Sequence, residues 1–279
     1  MEKGAQLDRV AVVVPTRDRP DSLRRCLAAL SRQTFEDVAI VVVDDRSVRA
    51  KDVAAAVDGT PGASVIRSER RGPAAARNVG VAAAADSAIV CFTDDDCEPE
   101  PDWVASLVEA LRTDADVAVG SVENGRPDDA FSGAWHAIVD FLSEAAGIGG
   151  GAFATSNNVA CRTAVARAIP FDEAYAHAAG EDRDWIARVA AAGYKIAAER
   201  RARVVHTQAL DFRGFLRQHF RYGQGAYAFQ RSRGGIQRPA FYKRLVAYAF
   251  RRGFTVGLLV VVAQVATAAG FLAERVRTR

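Results

Sequence analysis

Three consecutive carboxylates, Asp94-Asp95-Asp96, follow the apolar run Ala88 to Phe92 with only Thr93 between. Like charges at that density repel one another and resist burial, so the triplet needs a cation nearby. A divalent metal carrying a substrate diphosphate meets that need, because Mg²⁺ is typically held by one or two carboxylates together with phosphate oxygens. Two more polar groups stand in comparable places: Thr16-Arg17-Asp18 after Val10 to Val14, and Asp44-Asp45 after Val38 to Val43. Further along, Gly180-Glu181-Asp182 precedes a helical stretch, Asp184 to Ala192. Any one of these, taken singly, also reads as an ordinary solvated turn.

The elements that must position these groups are legible as periodicity. Val10 to Val14, Val38 to Val43, Val65-Ile66 and Ala88 to Phe92 are apolar runs of the kind found in parallel strands buried on both faces. Leu23, Leu27 and Leu30 give Asp21 to Ser31 a helical spacing; Gly72 to Ala85 is Ala-rich with Pro73 near its first turn, and Asp102 to Arg112 is also helical. Alternation of strand and helix predicts an α/β, doubly wound, mostly parallel sheet flanked by helices. Ligands of such sheets bind beyond the carboxyl ends of the strands, so the three polar strand ends are expected on one rim. Ser121 to Ala154 reads as irregular, with a flexible loop at Gly147, Gly149, Gly150 and Gly151; Ile196 to Ala198 and Arg203 to Val205 read as two closing strands.

The chain has 279 residues, 49% hydrophobic and 25% charged, a globular profile. Its net charge of +3 hides an asymmetry: 15 of the 37 Lys and Arg, but only two of the 34 acidic residues, lie from Arg201 onwards. A basic tail on an acidic body suits an anionic partner, lipid or nucleic acid. Phe254 to Ala273 carries no charge and is about the length needed to cross a bilayer. An uncharged run inside the basic tail makes a poor nucleic-acid surface and a good lipid one. Cys26, Cys91, Cys97 and Cys161 show neither a C-x-x-C pair nor zinc spacing and read as reduced, cytosolic thiols. Met1 to Arg9 is polar and does not read as a leader.

Five segments, in order, resemble the family-2 glycosyltransferases of GT-A fold: Val12 to Asp18, Val43 to Ser47, Gly72 to Gly80 with Arg77-Asn78, Thr93 to Asp96 with Pro101, and Gly180-Glu181-Asp182. The resemblance covers about the first 205 residues. It implies a nucleotide-diphosphate sugar donor, a hydroxyl acceptor on a glycan, lipid or other molecule, Mn²⁺ or Mg²⁺, and transfer with inversion. Carried over by position, Pro15, Thr16 and Arg17 would line the nucleotide site. Asp45 would recognise the base, since a carboxylate accepts a hydrogen bond from a ring N–H, while Asp44 orients the loop. Arg77 would meet the diphosphate. Asp96 is the expected metal contact, with Asp94 and Asp95 reaching the ribose or the metal's water shell and His206 adding a metal or phosphate contact. Asp182 would be the catalytic base, with Glu181 and Asp184 as competitors.

Gln218 to Tyr222 partly resembles the Q-x-x-R-W motif of processive, membrane-embedded synthases, with Tyr222 in place of tryptophan. Single-sugar transfer is therefore expected. A sugar-phosphate nucleotidyltransferase is discounted because Pro15 to Asp18 lacks a glycine-rich phosphate loop. A non-catalytic nucleotide- or anionic-polymer-binding protein at the membrane is the remaining alternative. The expected division is a catalytic domain over 1–210, a basic amphipathic helical region over 211–253, a transmembrane or membrane-associated helix over 254–273 and a basic tail over 274–279. Arg231, Arg233, Arg238, Lys243, Arg244, Arg251 and Arg252 precede the apolar run, which places the catalytic domain on the cytoplasmic face of the cell membrane. Cell-envelope glycan or glycolipid synthesis is the expected setting.

Overall fold

The computed structural model describes residues 9–146, 155–175, 179–234 and 237–278. Its described residues form one eight-stranded sheet in the order β3-β2-β1-β4-β7-β6-β8-β5. The strands are β1 Val10–Thr16, β2 Val38–Asp44, β3 Ala63–Arg67, β4 Ile89–Phe92, β5 Cys97–Pro99, β6 Val117–Asn124, β7 Val159–Arg162 and β8 Ile196–His206. The half holding β3, β2, β1 and β4 is parallel throughout; β7 pairs antiparallel with β4 and β6, and β5 pairs antiparallel with β8.

Side-chain alternation along β1 explains why helices cover both faces. Val10, Val12 and Val14 pack with Leu23, Leu27 and Leu30 of α1 (Pro20–Leu30), Val53 of α2 (Ala50–Val57) and Trp103 and Leu107 of α4 (Trp103–Thr113). Val13 points the other way, into a core with Phe92, Ala74 and Ala76 of α3 (Pro73–Ala83), Val165 of α6 (Thr163–Ala168) and Trp185 and Ile186 of α7 (Glu181–Ala191). A third core lies among α5 (Ala130–Ala146), α8 (Phe212–Arg233), α9 (Pro239–Arg251) and α10 (Phe254–Arg277).

Several elements differ from the sequence reading, which had no counterpart for α2, β5, β6 or α6. α5 occupies half of the stretch read as irregular; the Gly147 to Gly151 loop lies outside the described residues. β7 had no expected counterpart, being four residues long. β8 is continuous where two strands were expected, because its charged middle, Glu199 to Arg201, sits at a register shift against β6. α10 runs on to Arg277, so the boundary at 273 falls inside a helix.

Register is what builds the rim. Thr16 pairs with Asp44, and Val13 pairs with Phe92. Continued three residues past Phe92, that register brings Asp95 level with Thr16. α3 is seated on β1 at Gly80, where a Cβ would overlap the γ-methyls of Val13. This close approach sets the height of Arg77, one turn earlier on the same helix. Gly80→Ala should therefore cost about 1–3 kcal/mol, the usual range for overpacking a filled core. Urea unfolding of the variant against the parent checks it; unchanged stability would mean that α3 has room to move.

Candidate active site

The strand ends and the start of α7 converge. Asp95 is fully buried and accepts a hydrogen bond from the Thr16 hydroxyl at 2.6 Å. Asp94 is the most exposed of the triplet and receives Nη2 of Arg77 at 2.8 Å, while Nη1 of the same guanidinium reaches Glu181 at 3.1 Å. Arg77 is only 2% exposed. It is thus a buried clamp between the triplet and α7, and a diphosphate contact through it would have to compete with both carboxylates. Asp44 accepts from the Ser47 amide and from Arg67 at 2.7 Å, which fixes the loop after β2. Asp45 accepts from the Gly72 amide at 3.0 Å and lies 4.0 Å from the half-exposed Arg17 guanidinium.

The first turn of α7 separates its three acids. Asp184 is buried and held by Arg188 at 2.7 Å and Arg233 of α8 at 3.1 Å. Glu181 is buried against Arg77. Asp182 is partly exposed, accepts the Arg183 amide at 2.7 Å, and has no arginine ion-paired to it among the described residues. Burial pushes the carboxyls of both Glu181 and Asp182 above the usual range, their mutual repulsion adding for Glu181. α8 abuts this turn: a Cβ at Gly225 would overlap the carbonyl of Ala179. Next to it, the Tyr222 hydroxyl accepts from Gln218 Nε2 at 2.8 Å and Trp135 Nε1 at 3.0 Å. Gln218 to Tyr222 is therefore a stretch of helix beside the site.

Arg19, which the sequence reading passed over, is the triplet's other counter-cation. Its guanidinium meets Asp95 at 2.5 Å and Asp96 at 2.7 Å. The one sequence signal for it was the triplet's demand for positive charge. Asp96 also lies 3.6 Å from Nε2 of His206, at the end of β8. Arg19 and His206 hold the Asp96 carboxyl well below its usual range against the opposing effect of burial. Around His206 stand Trp135, with ring centroids 4.5 Å apart, and His136 at 5.7 Å, both from α5 and both outside the sequence reading. Burial keeps His136 neutral, with a pKa pushed down to about 3.

A metal fits this corner. Ligand atoms of Asp96, Cys97 and His206 all lie within 4.8 Å of one another, and Nδ1 of His206 is buried without a partner among the described residues. The Asp96 carboxylate oxygen suits Mn²⁺ or Mg²⁺, while the His206 imidazole is a general transition-metal ligand. Cys97 is the weaker candidate: burial and the neighbouring carboxylates raise its thiol pKa far above normal, so it stays protonated.

The sheet, its two helical layers and this rim define a GT-A-type transferase. The chain belongs to glycosyl transferase family 2, whose model matches residues 11–165. It is 27% identical over 225 residues to glycosyltransferase AglE of Haloferax volcanii, covering 77% of this chain and 72% of that protein. It is 30% identical over 228 residues to the pre-mycofactocin glycosyltransferase of Mycobacterium tuberculosis, covering 78% of this chain but 46% of that one. Among solved structures, the mannosyltransferase PcManGT of Pyrobaculum calidifontis, in complex with GDP-Man and Mn²⁺, aligns with a TM-score of 0.61 at 20% identity over 95% of this chain and 75% of that one. TarS 1–349 of S. aureus, in complex with UDP-GlcNAc, aligns at 0.53 and 17% identity over 97% and 91%.

Removing the Arg77 clamp should leave Glu181 buried without a counter-charge and release Asp94. Arg77→Met is expected to destabilise by about 3 kcal/mol, the lower end for a broken buried pair because Asp94 is partly solvated. Chemical denaturation reads this directly, and an unchanged midpoint would show that the clamp carries no net stability.

Proposed function

We propose that this glycosyltransferase moves a sugar from a nucleotide-diphosphate donor to an acceptor hydroxyl with inversion, Asp182 acting as base. The observation that carries the reading is the Arg77 clamp, which ties the start of α7 to the acidic triplet and leaves Asp182, among the described residues, as the acid of that helical turn without an arginine ion pair. The GDP-Man and UDP-GlcNAc held by the two structural neighbours support the donor class. Pro15, Thr16 and Arg17 would border the nucleotide and Asp45 would accept from its base. Asp96 and His206 would hold Mn²⁺ or Mg²⁺, with Asp94 on its water shell. The ion's contribution there is to neutralise charge on the leaving diphosphate. The acceptor oxygen attacks the anomeric carbon, its proton passes to Asp182, and the bond to the diphosphate breaks on the opposite face with its electron pair. Arg77 holds Asp182 in place through Glu181. A single base suffices for such a displacement.

Asp182→Asn should lower turnover on the order of 10²–10⁴-fold, the range for loss of a general base, with donor affinity unchanged. Full turnover in that variant would return the role to Glu181. Because the Asp182 carboxyl is raised, it takes up a proton as pH falls through a value above the free aspartate's of about 3.9. The acid limb of kcat should accordingly lie above that pH and vanish in Asp182→Asn.

We also propose attachment to the cytoplasmic face of the cell membrane through α10, in cell-envelope glycan or glycolipid synthesis. Gly257, Val260, Ala263 and Gly270 of α10 are buried against the helical layer. Phe254, Leu258, Val261, Val265, Leu272 and Val276 form a second, exposed apolar stripe. α8 packs alongside with Arg213, Arg217 and Arg221, so a crossing α10 would draw these charges into the bilayer, which is costly. A helix lying in the interface, with arginines at anionic headgroups, fits both faces. Val265→Glu combined with Leu272→Glu should abolish flotation with phosphatidylglycerol vesicles while leaving donor binding intact. Undiminished flotation would put the anchor elsewhere.

A further inference from the structure

Arg19 stands immediately before α1 and projects across the end of β4. Its Nε and Nη2 engage both oxygens of Asp95, at 3.2 and 2.5 Å, and Nη1 takes Oδ2 of Asp96 at 2.7 Å. The guanidinium side chain is 46% exposed, whereas those of the two carboxylates are 0% and 7%. Arg19 therefore covers a buried anionic pair from the solvent side. No other side chain partners it among the described residues. It also forms part of the wall of a cleft of about 670 Å³ that reaches Asp96, Arg126 and Thr207. The remaining oxygen of Asp96 faces His206. One oxygen of the expected metal ligand is thus already taken by a fixed positive charge, and a bare divalent ion at Asp96 would meet both that repulsion and the loss of a charge-assisted hydrogen bond.

We propose that Arg19 is the resident counter-cation of the donor site: it screens Asp95 and Asp96 while the site is empty, excludes the bare metal, and gives up Asp96 to a metal–nucleotide diphosphate. The inference rests on the metal–donor reading given above. The diphosphate is what makes the exchange favourable, because its negative charge supplies the guanidinium with a new partner as the ion takes the carboxylate. Asp95, held at both oxygens and by Thr16, stays with Arg19 throughout. Metal and nucleotide then bind together, and each alone binds weakly. Arg19 is in this sense a positioning residue that makes metal and nucleotide load jointly.

The test is direct titration of the whole protein with Mn²⁺, following the free-ion electron paramagnetic resonance signal, with and without UDP or GDP. The parent should bind Mn²⁺ alone weakly and tighten on adding the matching nucleotide. Arg19→Gln should bind Mn²⁺ alone at least about tenfold more tightly, within the usual span of coupling between competing ligands, and should lose most of the nucleotide's tightening effect. A merely structural arginine would move the affinity the other way. Arg19→Lys, which keeps the charge but not the two-pronged grip, should fall between the two and serves if Arg19→Gln does not fold. Parental Mn²⁺ affinity in a folded variant, with Mn²⁺ and nucleotide still binding together, would overturn the inference alone. Absence of Mn²⁺ binding in parent and variants even with both nucleotides would overturn the metal reading and this inference with it.

Discussion

The structure depends on keeping three adjacent carboxylates at the end of a buried strand. Repulsion within Asp94-Asp95-Asp96 is met by two guanidiniums arriving from opposite sides of the sheet: Arg19 ahead of α1 and Arg77 from α3. Each of these arginines does more than neutralise. Arg77 reaches on to Glu181, 104 residues along the chain, and so ties the start of α7 to the end of β4. The close seat of α3 at Gly80 and the register of β1 on β4 are the conditions for that reach.

Much of this was readable from residue types, and the exceptions have physical causes. β1, β2 and β4 announce themselves because both of their faces are buried, which leaves uninterrupted apolar runs. β5 and β7, of three and four residues, are too short for any period to show. β8 looked like two strands because half of its side chains there meet water. The acidic members of the rim were legible, since carboxylates clustered after strands have few structural uses. Their partners were not. Arg19 is one of two arginines flanking Asp18, and only the path of the chain decides that Arg17 turns towards Asp45 while Arg19 crosses to the triplet. For Arg77 the sequence suggested a ligand contact but gave no sign of the two carboxylates, Asp94 and Glu181, that it bridges. Trp135 and His136 lie in a stretch without motif, and only the fold brings them from α5 to His206.

The C-terminal helices show how composition alone merges two kinds of apolar face. Length and lack of charge made 254–273 resemble a span, yet apolar residues line two faces of α10 for two different reasons. One face closes a core shared with Phe141, Phe215, Leu245 and Ala249. The other is left bare. A sequence count adds the two together, whereas the fold separates them. The family membership is carried by the N-terminal sheet, and the helical layer is where this chain's own setting is written.

The backbone contact between Gly225 of α8 and Ala179, just ahead of α7, has a mechanical consequence. On its other side α8 meets α10 in the same way, since a Cβ at Gly223 would overlap the Thr267 carbonyl. No compressible side chain intervenes at either crossing. A displacement of α10 is therefore transmitted to the first turn of α7 without slack, as through a train of meshed gears. The Arg233–Asp184 pair engages the same two members a second time.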